Sequence, residues 1–326
     1  MVANKLKKGD EVRIIAPARS MALLNDDCIE IATKRLTDLG LKVTFGKYVY
    51  ETDRDYSHGS IEHRALDLNE AFSDLNVKCI LTVMGGYNSN QLLKYIDFEN
   101  IKNNPKIFCG FSDITALSNA IYAKTGLVTY SGPHFSTFGM LKGNEFTIDH
   151  FIKMFFEDEE VNIVSSTTWS NDSWFLDQEN REFIENDGMF IINKGTAEGT
   201  IIGGNLCTVN LLQGTKYMPS IKNSILFIED DGLTGDDFLM NFDRDFQSLI
   251  DLDDFKYVKG IVIGRAEKNC NMNNEKWIKM IKNKVELDNM PVIAGVDFGH
   301  TTPIITFPIG GYAQIDAIDE IKLVIK

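Results

Sequence analysis

The sequence predicts an α/β protein whose first half is a doubly wound parallel sheet and whose second half is a separate strand-rich domain. Three observations predict it. Short apolar runs recur between residues 12 and 130 with helix-type segments between them, which is the spacing of strand–helix–strand units. The run Cys79-Ile80-Leu81-Thr82-Val83-Met84 is almost continuously apolar instead of alternating, as a strand covered on both faces requires. Beyond a polar, turn-rich stretch the strands resume, now punctuated by glycine.

Taken in order, Val12 to Pro17 is a short strand stopped by proline. Asn25, Asp26 and Asp27 offer N-caps to a helix carrying Ile29, Ala32, Leu36 and Leu39 and ending at Gly40. Lys42 to Val49 reads as a strand and His63 to Phe72 as a helix, and the buried strand that follows ends in Gly85-Gly86. A helix (Asn90 to Ile96), a strand (Ile107 to Gly110), a helix (Asp113 to Ala123) and a strand (Leu127 to Tyr130) complete the first domain. Between Glu157 and Gly199 the pattern changes, and Ser165 to Trp174 holds two of the three tryptophans. The boundary is placed there, dividing 1–164 from 165–326, and 326 residues suit two domains. The second domain reads as strands Gly199 to Gly203, Ser224 to Ile228, Gly260 to Gly264 and Pro291 to Val296, with a closing hairpin in Tyr312 to Ile325.

Composition excludes several function classes. Lys+Arg 33 against Asp+Glu 47 leaves a formal charge of −14, the wrong sign for replacing phosphate counterions on nucleic acid or for docking on anionic lipid. No run approaches the roughly 20 apolar residues of a membrane helix, and the N-terminus lacks the apolar core of a secretory leader, so a cytoplasmic location is expected. Cys28, Cys79, Cys109, Cys207 and Cys270 are odd in number, scattered and free of C-x-x-C spacing. That argues against a disulfide framework or a zinc site and for buried thiols. There is no H-E-x-x-H pair, and the Ile15-Ala16-Pro17-Ala18 turn has neither the dinucleotide nor the P-loop glycine pattern. Neither metal nor cofactor is expected, and the partner should be a small molecule.

The most informative segment is Ile107-Phe108-Cys109-Gly110-Phe111-Ser112-Asp113-Ile114-Thr115. A strand ends in glycine and a serine opens the next helix, at the strand edge where open parallel sheets bind ligands. The pattern is close to a nucleophile elbow, although Ile114 replaces the last glycine of G-x-S-x-G. A plain N-cap is the competing reading of Ser112. Gly85-Gly86-Tyr87-Asn88-Ser89 repeats the theme one strand earlier; its glycines either bring bare amides to a ligand or merely serve a tight turn. Among five histidines, His63 and His150 sit in charged helical contexts and are expected to be solvated, and His58 lies in a polar turn. His134, after Ser131-Gly132-Pro133, and His300, after Asp297-Phe298-Gly299, lie at strand ends, as pocket or structural residues. Ile225 to Ile228 runs straight into Glu229-Asp230-Asp231. Glu229 and Asp230 alternate sides, so one of them can orient an imidazole.

Together these segments resemble the LD-carboxypeptidase family of serine peptidases, which includes murein tetrapeptide carboxypeptidases and microcin C immunity peptidases. The resemblance also rests on His63-Arg64-Ala65, Gly203-Gly204-Asn205-Leu206 and Gly299-His300-Thr301-Thr302-Pro303, in family order along most of the chain. It implies a Ser-His-Glu triad at Ser112, His300 and Glu229, with an oxyanion hole from the amides of Gly86 and Asp113. It implies a flavodoxin-like first domain, a smaller β-rich α/β second domain carrying Glu and His, a cleft between them, and a homodimer. Gly85, Tyr87 and His134 would line the substrate. The Trp169 to Gly188 segment and Asn205 to Gly214 look closer to the microcin C immunity branch, so an aminoacyl-nucleotide conjugate is the expected substrate. Trp169 and Trp174 then either stack on its base or anchor the loop by packing. The rivals are an L,D-carboxypeptidase releasing terminal D-Ala from murein tetrapeptide and a non-catalytic nucleotide-binding module.

Overall fold

The computed structural model describes residues 1–53 and 55–326. Strands are numbered in chain order. The first five are β1 (Glu11–Ile15), β2 (Lys42–Phe45), β3 (Val77–Thr82), β4 (Ile107–Cys109) and β5 (Thr129–Ser131). Next come β6 (Val161–Ile163), β7 (Thr168–Trp169), β8 (Ile184–Glu185), β9 (Phe190–Asn193), β10 (Gly195–Asn205) and β11 (Ser224–Glu229). The chain closes with β12 (Gly260–Gly264), β13 (Val292–Val296), β14 (Phe307–Ile309), β15 (Tyr312–Ala317) and β16 (Ile321–Ile325).

The first sheet has the order β2-β1-β3-β4-β5, all parallel, with β14 added antiparallel to β5. The 2-1-3-4-5 order is the flavodoxin-like arrangement, whose ligand crevice opens where β1 and β3 diverge. The second sheet is mixed. Strands β10, β11, β12 and β13 are parallel, flanked by antiparallel β15, β16 and β6 on one side and β9 on the other. Strands β7 and β8 form a small separate pair within the 165–188 segment.

Several local expectations are refined. The helix Asp26–Asp38 is capped by Asn25, whose side chain accepts from the Cys28 amide at 2.7 Å. The Asn90 to Ile96 segment is a 3-10 helix, Ser89–Lys94, and helices Phe98–Asn103 and Glu145–Phe156 were not anticipated. The two sheets also exchange strands. The chain enters the second sheet at β6, before residue 165, because Val161 and Ile163 bury against β16. It returns to the first sheet at β14, so a boundary at 164/165 divides the sequence but not the sheets.

One apolar core lies between the sheets and belongs to both. Val12, Leu81 and Cys109 of the first share it with Ile201, Phe227, Ile293 and Val296 of the second. At its centre Phe227 packs against Phe298 and Phe307, with ring centroids 5.8 and 4.9 Å away, and Phe298 and Phe307 meet at 5.1 Å. Separate cores cover the outer faces, one under the helix Phe238–Ile250 and one under the helix Ile61–Ser73. No described helix is long and apolar enough to cross a membrane.

Burying an aromatic ring of this size and then deleting it leaves a cavity, so Phe227→Ala should cost about 3–5 kcal/mol in urea unfolding. Because the core is common property, calorimetry of the unsubstituted protein should give a single transition. Two well-separated transitions would contradict the shared core.

Candidate active site

Strand β4 ends at Cys109, and three residues later Ser112 adopts φ +58°. A non-glycine residue in the left-handed region stores strain, roughly 1–3 kcal/mol, and must be held there by its surroundings. Asp113 does much of the holding. Its buried carboxylate accepts from the amides of Asn88 at 3.0 Å and Ser89 at 2.9 Å, while the Ser89 hydroxyl donates to the Asp113 carbonyl at 2.7 Å. Burial pushes the Asp113 carboxyl above its usual range, and these donors oppose the shift. Behind them the buried Arg64 guanidinium donates to Asn88 Oδ1 and to the Pro17 carbonyl, both at 3.0 Å. The elbow and the Gly85–Ser89 loop are thereby fixed to one another. A Cβ on Gly85 would sit 3.0 Å from Ser112 Cβ, so the loop lies this close because it is glycine. The amides of Gly86 and Asp113 make no hydrogen bond among the described residues.

The N-cap reading of Ser112 falls. The cap position belongs to Phe111, no side chain caps this turn, and Ser112 Oγ instead lies 2.9 Å from His300 Nε2. His300 Nδ1 lies 2.8 Å from Glu229 Oε2. Glu229 ends β11, and His300 follows β13 by four residues. Gly299 has φ +109°, and a Cβ there would meet Glu229 Oε2 at 2.6 Å, so glycine lets the carboxylate reach the ring. Burial alone would lower the His300 pKa. The charge and hydrogen bond of Glu229, with Asp231 and Glu267 behind, override that and raise it to about 9. Asp230 faces away, as strand alternation required: it accepts from Asn205 Nδ2 at 3.0 Å and the Cys207 amide at 3.2 Å. Burial first, then the charge of Glu229, pushes Asp230 up to about 6.

Beside the Ser–His pair lies a cavity of about 260 Å³ whose walls include Phe111, His134, Trp174, Phe175, Glu267 and Thr301. His134 is stacked on Phe111 at 4.3 Å, and Phe111 meets His300 edge-on at 5.5 Å. Burial, helped by the neighbouring His300, lowers the His134 pKa to about 3, so this ring is neutral.

The two tryptophans part company. Trp174 lines this cavity, whereas Trp169 lies under the Arg265 guanidinium at 5.2 Å and faces a different hollow. Arg265 is in turn paired with Asp297 at 2.6 Å, so Trp169 packs on a structural ion pair. Tyr87 is half exposed beside Tyr56 and His58, outside the cavity wall. His150, expected to be solvated, is buried, and burial lowers its pKa to about 4. Cys207, expected to be buried, is exposed, unlike the other four thiols. Among the described residues no group of three or more His, Cys, Asp or Glu side chains is placed to hold a metal ion.

Sequence reasoning assigned no role to Phe111, Arg64 or Glu267. Glu267 could have been found, since it stands just beyond the end of β12, where the strand-end argument applies again.

Residues 12–132 match the LD-carboxypeptidase N-terminal domain and residues 198–315 the LD-carboxypeptidase C-terminal domain. YocD of Bacillus subtilis, which carries the name of a carboxypeptidase, is 54% identical over 98% of this chain and 97% of its own. The crystal structure of an MccF-like protein from Bacillus anthracis superposes with a TM-score of 0.98 at 54% identity, covering 100% of this chain and 99% of that one. The microcin C7 self-immunity protein MccF of Escherichia coli is 32% identical over 97% of this chain and 93% of its own. A structure of MccF in complex with glutamyl sulfamoyl guanosine superposes with a TM-score of 0.86 at 29% identity, covering 99% and 98%.

The carboxylates around His300 favour its cation, so its imidazole resonances should titrate in NMR with a midpoint near pH 9. Glu229→Gln removes the largest charge favouring the cation and should move the midpoint down. An unchanged midpoint in that variant would mean that Glu229 does not set the charge of the ring.

Proposed function

The chain belongs to the LD-carboxypeptidase family of serine peptidases, and on that premise we propose that it hydrolyses the amide-type bond of microcin C-like aminoacyl-nucleotide conjugates. The observation that carries the reading is the unbroken Ser112–His300–Glu229 relay, with contacts of 2.9 and 2.8 Å. In this mechanism Ser112 Oγ attacks the aminoacyl carbonyl while the neutral form of His300, whose share grows as pH rises towards 9, takes its proton at Nε2. Glu229 holds the ring and stabilises its cation. The oxyanion is assigned to the amides of Gly86 and Asp113, which make no hydrogen bond among the described residues and so are free to donate to it. Collapse breaks the carbon–nitrogen bond, and His300 returns the proton to the leaving nitrogen. Water then attacks the acyl-serine, His300 accepts its proton, and the ester breaks to release the amino acid and restore Ser112.

The nucleotide end of the substrate is assigned to the cavity wall carrying Trp174 and Phe175. Trp174 is half-buried there and meets the exposed Phe175 edge-on at 6.0 Å, which leaves an indole face for a base. Similarity to a protein solved with an aminoacyl sulfamoyl nucleoside supports this choice. Trp169, tied up with Arg265, is given a packing role.

Ser112→Ala should lower kcat by about 10⁴-fold or more while leaving substrate binding measurable by calorimetry. Near-normal turnover in that variant would overturn the mechanism. Murein tetrapeptide assayed in parallel should be the poorer substrate, and a clear preference for it would reassign the enzyme to cell-wall recycling. Trp174→Ala should weaken binding of the nucleotide conjugate by about 1–3 kcal/mol, with little change for an aminoacyl amide that lacks a base.

A further inference from the structure

We propose that His134 is a specificity-determining residue whose bare Nε2 accepts a hydrogen bond from an amine of the substrate next to the scissile carbonyl. This rests on the hydrolytic reading of the same site and names the acyl group that the site selects.

A hydrogen-bond network lies behind the ring. His134 Nδ1 lies 2.8 Å from Thr82 Oγ1, and Thr82 Oγ1 lies 3.3 Å from the Cys109 carbonyl oxygen. The threonine hydroxyl has one proton to give. If it donated to Nδ1, the Cys109 contact would be empty. If Nδ1–H donates to Thr82 and Thr82 donates to Cys109, both contacts are made. Making both contacts puts the proton on Nδ1 and leaves Nε2 as an acceptor, against the pull of the Phe111 carbonyl, which favours a protonated ring.

That acceptor has no partner. Nε2 is buried and without a hydrogen bond among the described residues, and such a group costs free energy until something meets it. It also points at the chemistry: a Cβ placed on Gly85 would lie 3.6 Å from Nε2 and 3.1 Å from Ser112 Oγ. A substrate carbonyl seated on Ser112 brings its neighbouring substituent into this corner.

The walls say what that substituent is. Among the described residues no Lys or Arg lines the cavity. Of its two carboxylates, Asp172 is already held by Arg181 at 2.8 Å, whereas Glu267 accepts from the Gly232 amide and has only His300 as a nearby positive partner. An acceptor nitrogen with a carboxylate on the same wall suits an amine. The ring itself stays neutral beside His300, so it accepts rather than competes as a cation.

The test pairs an aminoacyl amide bearing a free α-amine with its des-amino counterpart. The unsubstituted enzyme should favour the amine by about tenfold or more in kcat/KM, the size of one hydrogen bond to a charged donor. His134→Phe should erase that preference, lowering kcat/KM on the amine by about tenfold more than on the des-amino counterpart. His134→Gln, which keeps an acceptor oxygen, should retain part of it. Equal losses on both substrates, or no preference in the unsubstituted enzyme, would overturn the proposal. If His134→Phe does not fold, the unsubstituted enzyme and His134→Gln decide between these outcomes. If neither substrate is cleaved, the hydrolytic reading fails. The inference is then judged by calorimetry with an uncleavable aminoacyl sulfamoyl nucleoside and its des-amino form, where equal affinities would overturn it.

Discussion

A hydrogen bond between a hydroxyl and an imidazole tolerates only a few tenths of an ångström of misplacement, and here its two ends hang from different sheets. Ser112 follows β4 of the first sheet, whereas Glu229 and His300 follow β11 and β13 of the second. What fixes their separation is the packing of Phe227, Phe298 and Phe307. Phe227 stands two residues before Glu229, Phe298 two residues before His300, and Phe307 lies on the strand that joins the second half of the chain to the first sheet. Interiors of this density transmit displacement instead of absorbing it. The aromatic trio therefore sets the 2.9 Å contact as surely as the two side chains that make it.

Electrostatics divide the labour between two imidazoles that share the Phe111 ring. His300 is surrounded by Glu229, Asp231 and Glu267 and is driven towards its cation; His134, equally enclosed but with His300 as its charged neighbour, is kept neutral. One residue type is thus pushed towards opposite charge states within a single cavity. The difference arises from which strand ends lie nearby. Histidine suits this because modest changes of surroundings move it across neutrality.

Much of this was legible in the sequence, for identifiable reasons. The rule that apolar strands deliver their chemistry at their carboxyl ends put Ser112, one of Glu229 and Asp230, and both His134 and His300 among the candidates, and the family resemblance chose Ser112, Glu229 and His300. The doubly wound parallel sheet followed from strand–helix spacing, and its flavodoxin-like character from the family resemblance. What escaped depends on contacts between distant segments. Nothing local distinguishes Trp169 from Trp174, five residues apart, until the loop directs one under Arg265 and the other into the cavity. His150 looked solvated because charged residues flank it, yet the helix turns that ring inward. The exchange of β6 and β14 between sheets was invisible, since a three-residue apolar run does not announce which sheet will accept it.

The return of β14 to the first sheet carries a consequence for biosynthesis. The wall of β-structure bearing the serine is finished only when Phe307–Ile309, near the far end of the polypeptide, pairs with Thr129–Ser131. A nascent chain emerging from the ribosome can pair β1 to β5 early, but its outer edge stays open, and neither Glu229 nor His300, the partners in the chain of contacts from Ser112, has yet been translated. The two halves are consequently not interchangeable modules: a fragment ending at the apparent junction would carry an exposed strand edge and a serine without its imidazole neighbour. By weaving β14 back into the first sheet, the protein makes that sheet wait on the second half of the sequence.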